Sequence, residues 1–390
     1  MFNLLSTRRK ALTRAALVAA AFALAACEPM PSGRGPSIDA GAPVQVALIL
    51  PGGSGNSGDE VLARNLKQAA DLAIADLDGV QIDLRVYNAG SDAGTSAAMA
   101  RQAVDDGAKI ILGPVFAEAA NAAGVAVAGT GVNVLSFSNN TDIAGGNVFV
   151  LGPTFQNTAN RLVSYAARSG KGRIMIVKDQ TAAGDLGSRA IGIAAQRSGA
   201  TIAGTASYAF SQQGVIDAAP QIAAQVRSSG ANAVFFTADS AGALPLLAQL
   251  LPEAGVNSQT AQFVGLTRWD IPSATLSMPG VQGGWFALPD PGLAGQFQSR
   301  FMAAYGESPH PIAGLAYDGI AAIGALAKGG KTGGLSAAAL TQGSGFAGVN
   351  GVFRLLPDGT NERGLAVAQI QNAQVVVIDP APRSFGGAGF

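Results

Sequence analysis

Reactive side chains are scarce in these 390 residues: there is one cysteine and one histidine. A single cysteine excludes an internal disulfide framework. One cysteine with one histidine is too few for a zinc site. Any Ser-His-Asp triad must use His310, which lies in Ser-Pro-His-Pro, and no G-x-S-x-G elbow accompanies it. His310 therefore reads as a loop residue. No EF-hand spacing offers a calcium loop. Charged residues make up only 13% and form no basic stripe, which argues against nucleic acid as a partner. The expectation is a protein that is not an enzyme and carries no cofactor or metal.

What is present is apolar and glycine-rich. Hydrophobic residues reach 48%, and 52 residues are glycine. That is a globular composition with many tight turns. Arg8, Arg9, Lys10 and Arg14 precede the unbroken apolar run Ala15–Ala26. The run is shorter than the ~20 residues of a membrane-spanning helix and reads as a signal segment. It ends in Leu24-Ala25-Ala26-Cys27. This resembles a bacterial lipobox, which implies cleavage before Cys27 and lipidation of its sulfur. An acylated Cys27 would hold the chain on a membrane. Glu28 at the next position favours the outer membrane by analogy with enteric sorting. Losing residues 1–26 removes four positive charges and no negative ones, so the neutral precursor becomes a body of net charge −4.

Residues 27–43 are rich in Pro, Gly, Ser and Ala and read as a flexible tether. From Val44 onward, short apolar runs alternate with helical periods. Val44–Leu50 reads as a buried strand and is followed by a helix with a possible capping box, Ser57-Gly-Asp-Glu60. Further strands are expected at 82–87, 109–112, around Val134, 173–177, 201–208, 233–237 and 262–264, with helices between them. Such alternation implies parallel sheets. The pattern restarts after Leu151 and is too long for one doubly wound sheet. The fold class expected is α/β, with two Rossmann-like lobes. The end, Phe346–Arg354 with strands at 365–370 and 375–378, reads as antiparallel.

The segment Gly53-Ser-Gly55-Asn-Ser-Gly58 spells G-x-G-x-x-G between a strand and a helix. Pro51 redirects the loop, and the next strand ends in Tyr87-Asn88 where a ribose-binding acid would stand. A cleft-lining loop is the better reading than a nicotinamide-dinucleotide site. Polar loops at the C-terminal ends of strands are where open α/β sheets bind ligands. This points to Ser54, Asn56, Val115, Phe116, Ser136, Ser138 and Asn139 on one side. Asp179, Gln180 and Asp239 face them, the two carboxylates suiting a cationic group. Each residue taken singly is as readily a turn or cap residue. Trp269 and Trp285 read as core.

The ordered motifs Leu-Ile-Leu-Pro51, Ile-Leu-Gly113-Pro114, Val-Leu-Ser136-Phe-Ser138, Ala-Tyr317-Asp318-Gly-Ile and Phe346-Ala-Gly-Val-Asn-Gly351 resemble type I periplasmic binding proteins, the leucine/isoleucine/valine-binding branch above all. The resemblance spans residues 44–378. It implies two lobes joined by three crossovers that close by a hinge around a small amino-acid-like ligand, for delivery to an ABC permease. It divides the chain into lobe I (44–152 and 288–342), lobe II (153–287 and 343–379) and a disordered tail (380–390). Relatives place a serine after the Gly-Pro turn, where Val115-Phe116-Ala117-Glu118 stands here. They carry a Tyr-Gly in the second lobe, where this chain has Asp179-Gln-Thr-Ala-Ala-Gly184. The same fold is similar to the C-terminal domain of outer-membrane penicillin-binding protein activators, which implies a peptidoglycan synthase as the alternative partner.

Overall fold

A computed structural model describes residues 35–38, 41–329 and 333–386. The lipobox and Cys27 lie outside the described residues. Among the described residues no helix is long and apolar enough to cross a membrane.

The first sheet is wholly parallel, in the order β2-β1-β3-β4-β5. Its strands are β1 (Val44–Leu50), β2 (Ile82–Asn88), β3 (Ile110–Leu112), β4 (Asn133–Ser136) and β5 (Val148–Val150). Central β1 shows why the run VQVALIL has no polar alternation. Val46, Leu48 and Leu50 enter the core on one face, while Ala47 and Ile49 enter the core on the other. A strand covered on both faces needs apolar residues at both parities. The intervening helices are α1 (Ser57–Asp76), α2 (Ala93–Asp105) and α3 (Ala117–Val127). Gly113 ends β3 at φ +90°, and a Cβ there would lie 2.2 Å from the Ile49 carbonyl oxygen, so only glycine fits that turn.

The expected capping box at Ser57 does not form. Asn56 is the cap instead, its carboxamide oxygen accepting from the amides of Gly58 (2.8 Å) and Asp59 (3.4 Å). Glu60 is drawn back to the loop, accepting from the Gly53 amide at 2.7 Å.

The second lobe holds α4 (Phe155–Arg168), β6 (Arg173–Asp179), α5 (Ala182–Ser198), β7 (Thr201–Tyr208), α6 (Gln212–Ser229), β8 (Ala233–Phe236), α7 (Leu244–Glu253), β9 (Gln262–Gly265) and β10 (Trp285–Leu288). Helix α4 opens with a true reciprocal box between Thr154 and Asn157. After α8 (Pro291–Tyr305), α9 (Gly314–Lys328) and the short α10 (Ala337–Leu340), the chain forms a small antiparallel sheet. That sheet is β11 (Phe346–Gly348), β12 (Gly351–Leu355) and β13 (Asn361–Arg363). Strands β14 (Ala366–Gln371) and β15 (Gln374–Asp379) then complete the second sheet, in the order β15-β14-β10-β9-β8-β6-β7, with β14 antiparallel to β10. The lobes are joined by three crossings, at residues 151–154, 289–290 and 364–365.

Three expected boundaries shift. Residues 346–355, assigned from sequence to the second lobe, pack on the first. Phe346 and Phe353 pair across β11 and β12, ring centroids 5.5 Å apart, and sink with Val349 and Leu355 into the first-lobe core. Part of the expected tether is docked, with Ile38 packed against that same core. The expected disordered tail is ordered through residue 386. Buried Arg161 donates to the carbonyls of Leu365 (2.6 Å) and Pro380 (3.0 Å), Ala381 joins the second-lobe core, and the Phe385 ring lies under Arg354.

Candidate ligand-binding cleft

The crossings are tied by a buried ion pair. Asp318, in the first turns of α9, is fully buried, and Arg363 at the end of β13 meets it at 3.1 Å. Asp318 also accepts from the Val349 amide (2.8 Å) and from Asn350 Nδ2 (3.2 Å). Arg363 donates to the Leu151 carbonyl at 2.5 and 3.1 Å. Asn361 Nδ2 bonds the carbonyls of Val150 and Gly152. A buried pair survives only when its remaining donors and acceptors are satisfied, and here nearly all are. The first and third crossings are thereby held in register.

A cavity of about 270 Å³ opens beside this network. Its wall comes from both lobes: Ile312 and Leu315 from the first, Phe155, Leu266 and Leu288 from the second, and Leu365 from the third crossing. Three polar side chains stand out against this apolar wall. Asn139, exposed after β4, makes no side-chain hydrogen bond among the described residues. Thr158 makes none either. Arg268, just after β9, is held side-on by Asp270 through Nε (2.6 Å) and one Nη (2.5 Å), leaving Nη1 free.

Of the ten cleft residues named from sequence, only Asn139 lines this cavity. Ser136 and Ser138 are both buried, and their hydroxyls bond to the backbone. Ser136 Oγ donates to the Pro114 carbonyl (3.0 Å) and accepts from the Ser138 amide, and Ser138 Oγ accepts from the Asn140 amide. They hold the turn that presents Asn139. Ser54 is exposed and donates to Asp59, while Asn56 caps α1. Val115 packs partly into the first-lobe core, and Phe116 sits half-buried at the start of α3.

Asp179, Gln180 and Asp239 stand at the ends of β6 and just beyond β8, on one edge of the second sheet. Asp179 is buried, one oxygen accepting from Thr181. Exposed Asp239 uses Oδ1 to accept from the Gly242 amide at 2.6 Å. Gln180 is exposed and reaches Ser207. The residue missed from sequence is Tyr208, at the end of β7. Its hydroxyl is buried with no hydrogen-bond partner among the described residues. Burial pushes that phenol well above its ordinary range, and the carboxylates of Asp179 and Asp239 push it further. A buried donor without an acceptor costs ~1–3 kcal/mol. The only hint in the sequence was a tyrosine closing a strand. His310 is half-buried, its Nδ1 accepting from the Ile312 amide, and burial lowers its pKa. Trp269 and Trp285 are core residues of the second lobe.

A family profile described as periplasmic binding protein matches residues 43–374. The chain belongs to the periplasmic binding protein family. Among solved structures of the same fold is a branched-chain amino acid ABC transporter periplasmic ligand-binding protein from Burkholderia xenovorans. It is 20% identical with a TM-score of 0.68, covering 88% of this chain and 97% of that one. An ABC transporter substrate-binding protein from Desulfitobacterium hafniense in complex with Leu is 16% identical, TM-score 0.63, covering 86% and 100%. An ABC transporter solute-binding protein from R. palustris in complex with benzoate is 17% identical, TM-score 0.57, covering 89% and 98%. At these identities the likeness is one of fold. No curated protein matches the chain. As a periplasmic binding protein the chain has a periplasmic location.

Proposed function

We propose that this periplasmic binding protein is the non-catalytic solute receptor of an ABC importer and captures a small ligand with a compact apolar group between its lobes. The supporting observation is the 270 Å³ cavity, walled by both lobes and by the third crossing, so that hinge motion opens and closes it. An apolar body with a few fixed polar groups is the usual make-up of such a site. The fold relatives in complex with Leu and with benzoate hold molecules of that kind. Asp179 and Asp239 are proposed to face a cationic group of the solute, with the Tyr208 hydroxyl oxygen accepting a hydrogen bond from it. The sequence-named residues Ser54, Asn56, Val115, Phe116 and Gln180 form the outer rim. Cys27 is proposed to be the acylated N-terminus that holds the receptor on the outer membrane.

A thermal-shift screen of amino acids, aromatic acids and short peptides tests the receptor reading. A ligand at a hundredfold excess over Kd stabilises the native state by about 2.7 kcal/mol, a clear upward shift of Tm. No shift with any compound, together with retention of peptidoglycan synthases on the immobilised protein, overturns it in favour of an activator. Intact mass analysis of the membrane fraction tests the anchor, since an unmodified Cys27 or cleavage elsewhere removes it.

A further inference from the structure

The hinge cavity does not end at Asn139. Asn139, Thr154 and Phe155 also line a second pocket of about 490 Å³ that runs outward between the loop after β4 and helix α5. The two spaces differ in chemistry. The inner one is walled mainly by leucine, isoleucine, phenylalanine and proline, with Asn139, Thr158 and Arg268 as its prominent polar groups. The outer one is lined largely by polar side chains: Asn139, Asn140, Thr141 and Asp142 from the first lobe, Gln156 and Arg189 from the second. Asp142 and Arg189 bring opposite charges from opposite lobes. Among the described residues neither takes a side-chain hydrogen bond or an ion pair, and neither do Asn139 and Thr141. The lining as a whole is neutral, with donors and acceptors in both walls.

Size separates the roles. About 270 Å³ holds one ring or branched alkyl group, given that a cavity of roughly 150 Å³ already holds benzene. Small-molecule sites of ~300–1,000 Å³ are the rule, and the inner cavity reaches that range only with the outer pocket added. A free carboxylate next to Asp142 is disfavoured unless Arg189 takes it. An amide offers an N–H to Asp142 or Asn139 Oδ1 and a carbonyl to Arg189, Asn140 or Thr141.

Building on the receptor reading above, we propose that the solute is an elongated amide: an apolar acyl or side-chain group in the hinge cavity, continued by one or two peptide-like units in the outer pocket. Recognition of the extension is then the task of Asn139, Asp142 and Arg189, and a free amino acid fills only half of the site.

Calorimetry on the full mature chain with benzoate, benzoyl-glycine and benzoyl-glycyl-glycine tests this, with 6-phenylhexanoate as the amide-free chain of comparable reach. Affinity is expected to rise along the benzoyl series, by about tenfold per amide unit, and to lag for 6-phenylhexanoate. Arg189→Gln and Thr141→Val should each remove about tenfold from benzoyl-glycyl-glycine while leaving benzoate unchanged, since both residues line only the outer pocket. Circular dichroism confirms that both variants are folded. Equal affinity for benzoate and its glycyl derivatives, or full retention of the longer probe by both variants, overturns the outer subsite and leaves the receptor reading standing. Failure of benzoate and of every amino acid and peptide to bind removes the receptor reading, and the subsite with it.

Discussion

At the scale of single residues, His310 and Asp318 make opposite demands. Burial lowers the pKa of His310, so the folded chain keeps its imidazole neutral when the unfolded chain, titrating near 6.5, has taken a proton. The unfolded state then binds more protons, and stability is lost as pH falls through about 6.5. Denaturation midpoints measured from pH 7.5 to 5 should fall, and His310→Gln should flatten part of that slope. An unaltered slope in the variant would assign the effect elsewhere. Asp318→Asn keeps the shape but leaves the Arg363 guanidinium buried without a counter-charge. Breaking such a pair costs ~3–5 kcal/mol. Urea titration should register this as a large drop in midpoint, whereas Ser54→Ala at the exposed rim should stay within ~0.5 kcal/mol.

At the scale of elements, residue type and burial decided what was legible. Strands β1 and β7 carry the bounds expected from sequence, β1 because its apolar run stops at Pro51 and β7 because it is bracketed by the Gly199 cap of α5 and the Ser211 cap of α6. Helix α5 begins at Ala182, soon after the strand that precedes it, because the Thr181 side chain caps it by accepting from the Gly184 amide. Strand β10 and the short β13 gave no usable period. The antiparallel finish was legible, but its allegiance was not. Nothing in the order of Phe346 and Phe353 says which of two apolar cores receives them. The cleft was legible as a set of strand ends and no further. A serine after a strand reads the same whether its hydroxyl faces solute or, like Ser136, the Pro114 carbonyl. Tyr208 and Arg268 required neighbours that only the tertiary fold supplies. Caps are the simplest test at this scale. Asn56→Ala should cost about 1 kcal/mol by losing the acceptor for two amides of α1, and Ser57→Ala far less. Equal losses at both positions would restore the box expected from sequence.

For the whole molecule, the decisive feature is that neither lobe is continuous in sequence. The first-lobe core needs Phe297, Leu315 and Phe353, and the second needs Ala366, Ala368 and Ile370. A chain truncated after Gly364 retains the Asp318–Arg363 pair and every strand of the first sheet. It lacks the two strands that pair beyond β10 in the second. Hydrogen exchange read by mass spectrometry should show slow amides kept in β1 and β3 and lost in β8 to β10. Loss of protection in both sheets together would mean that the lobes fold as one unit.

That same interleaving governs what happens while the chain is being made. A ribosome releases residues in order, and although the core on one face of the first sheet is complete by Val148, the other face needs residues up to Leu355 and the second sheet needs residues up to Ala381. Until almost the whole polypeptide has emerged, each half-built sheet still lacks the segment that seals it. A nascent chain of this design cannot close both faces of either sheet until late in its synthesis, which suits a secretion pore that threads extended polypeptide. The last strands, β14 and β15, close the second interior only after the passage is nearly complete. The order in which the two lobes are wound thus delays folding to the compartment where the protein works.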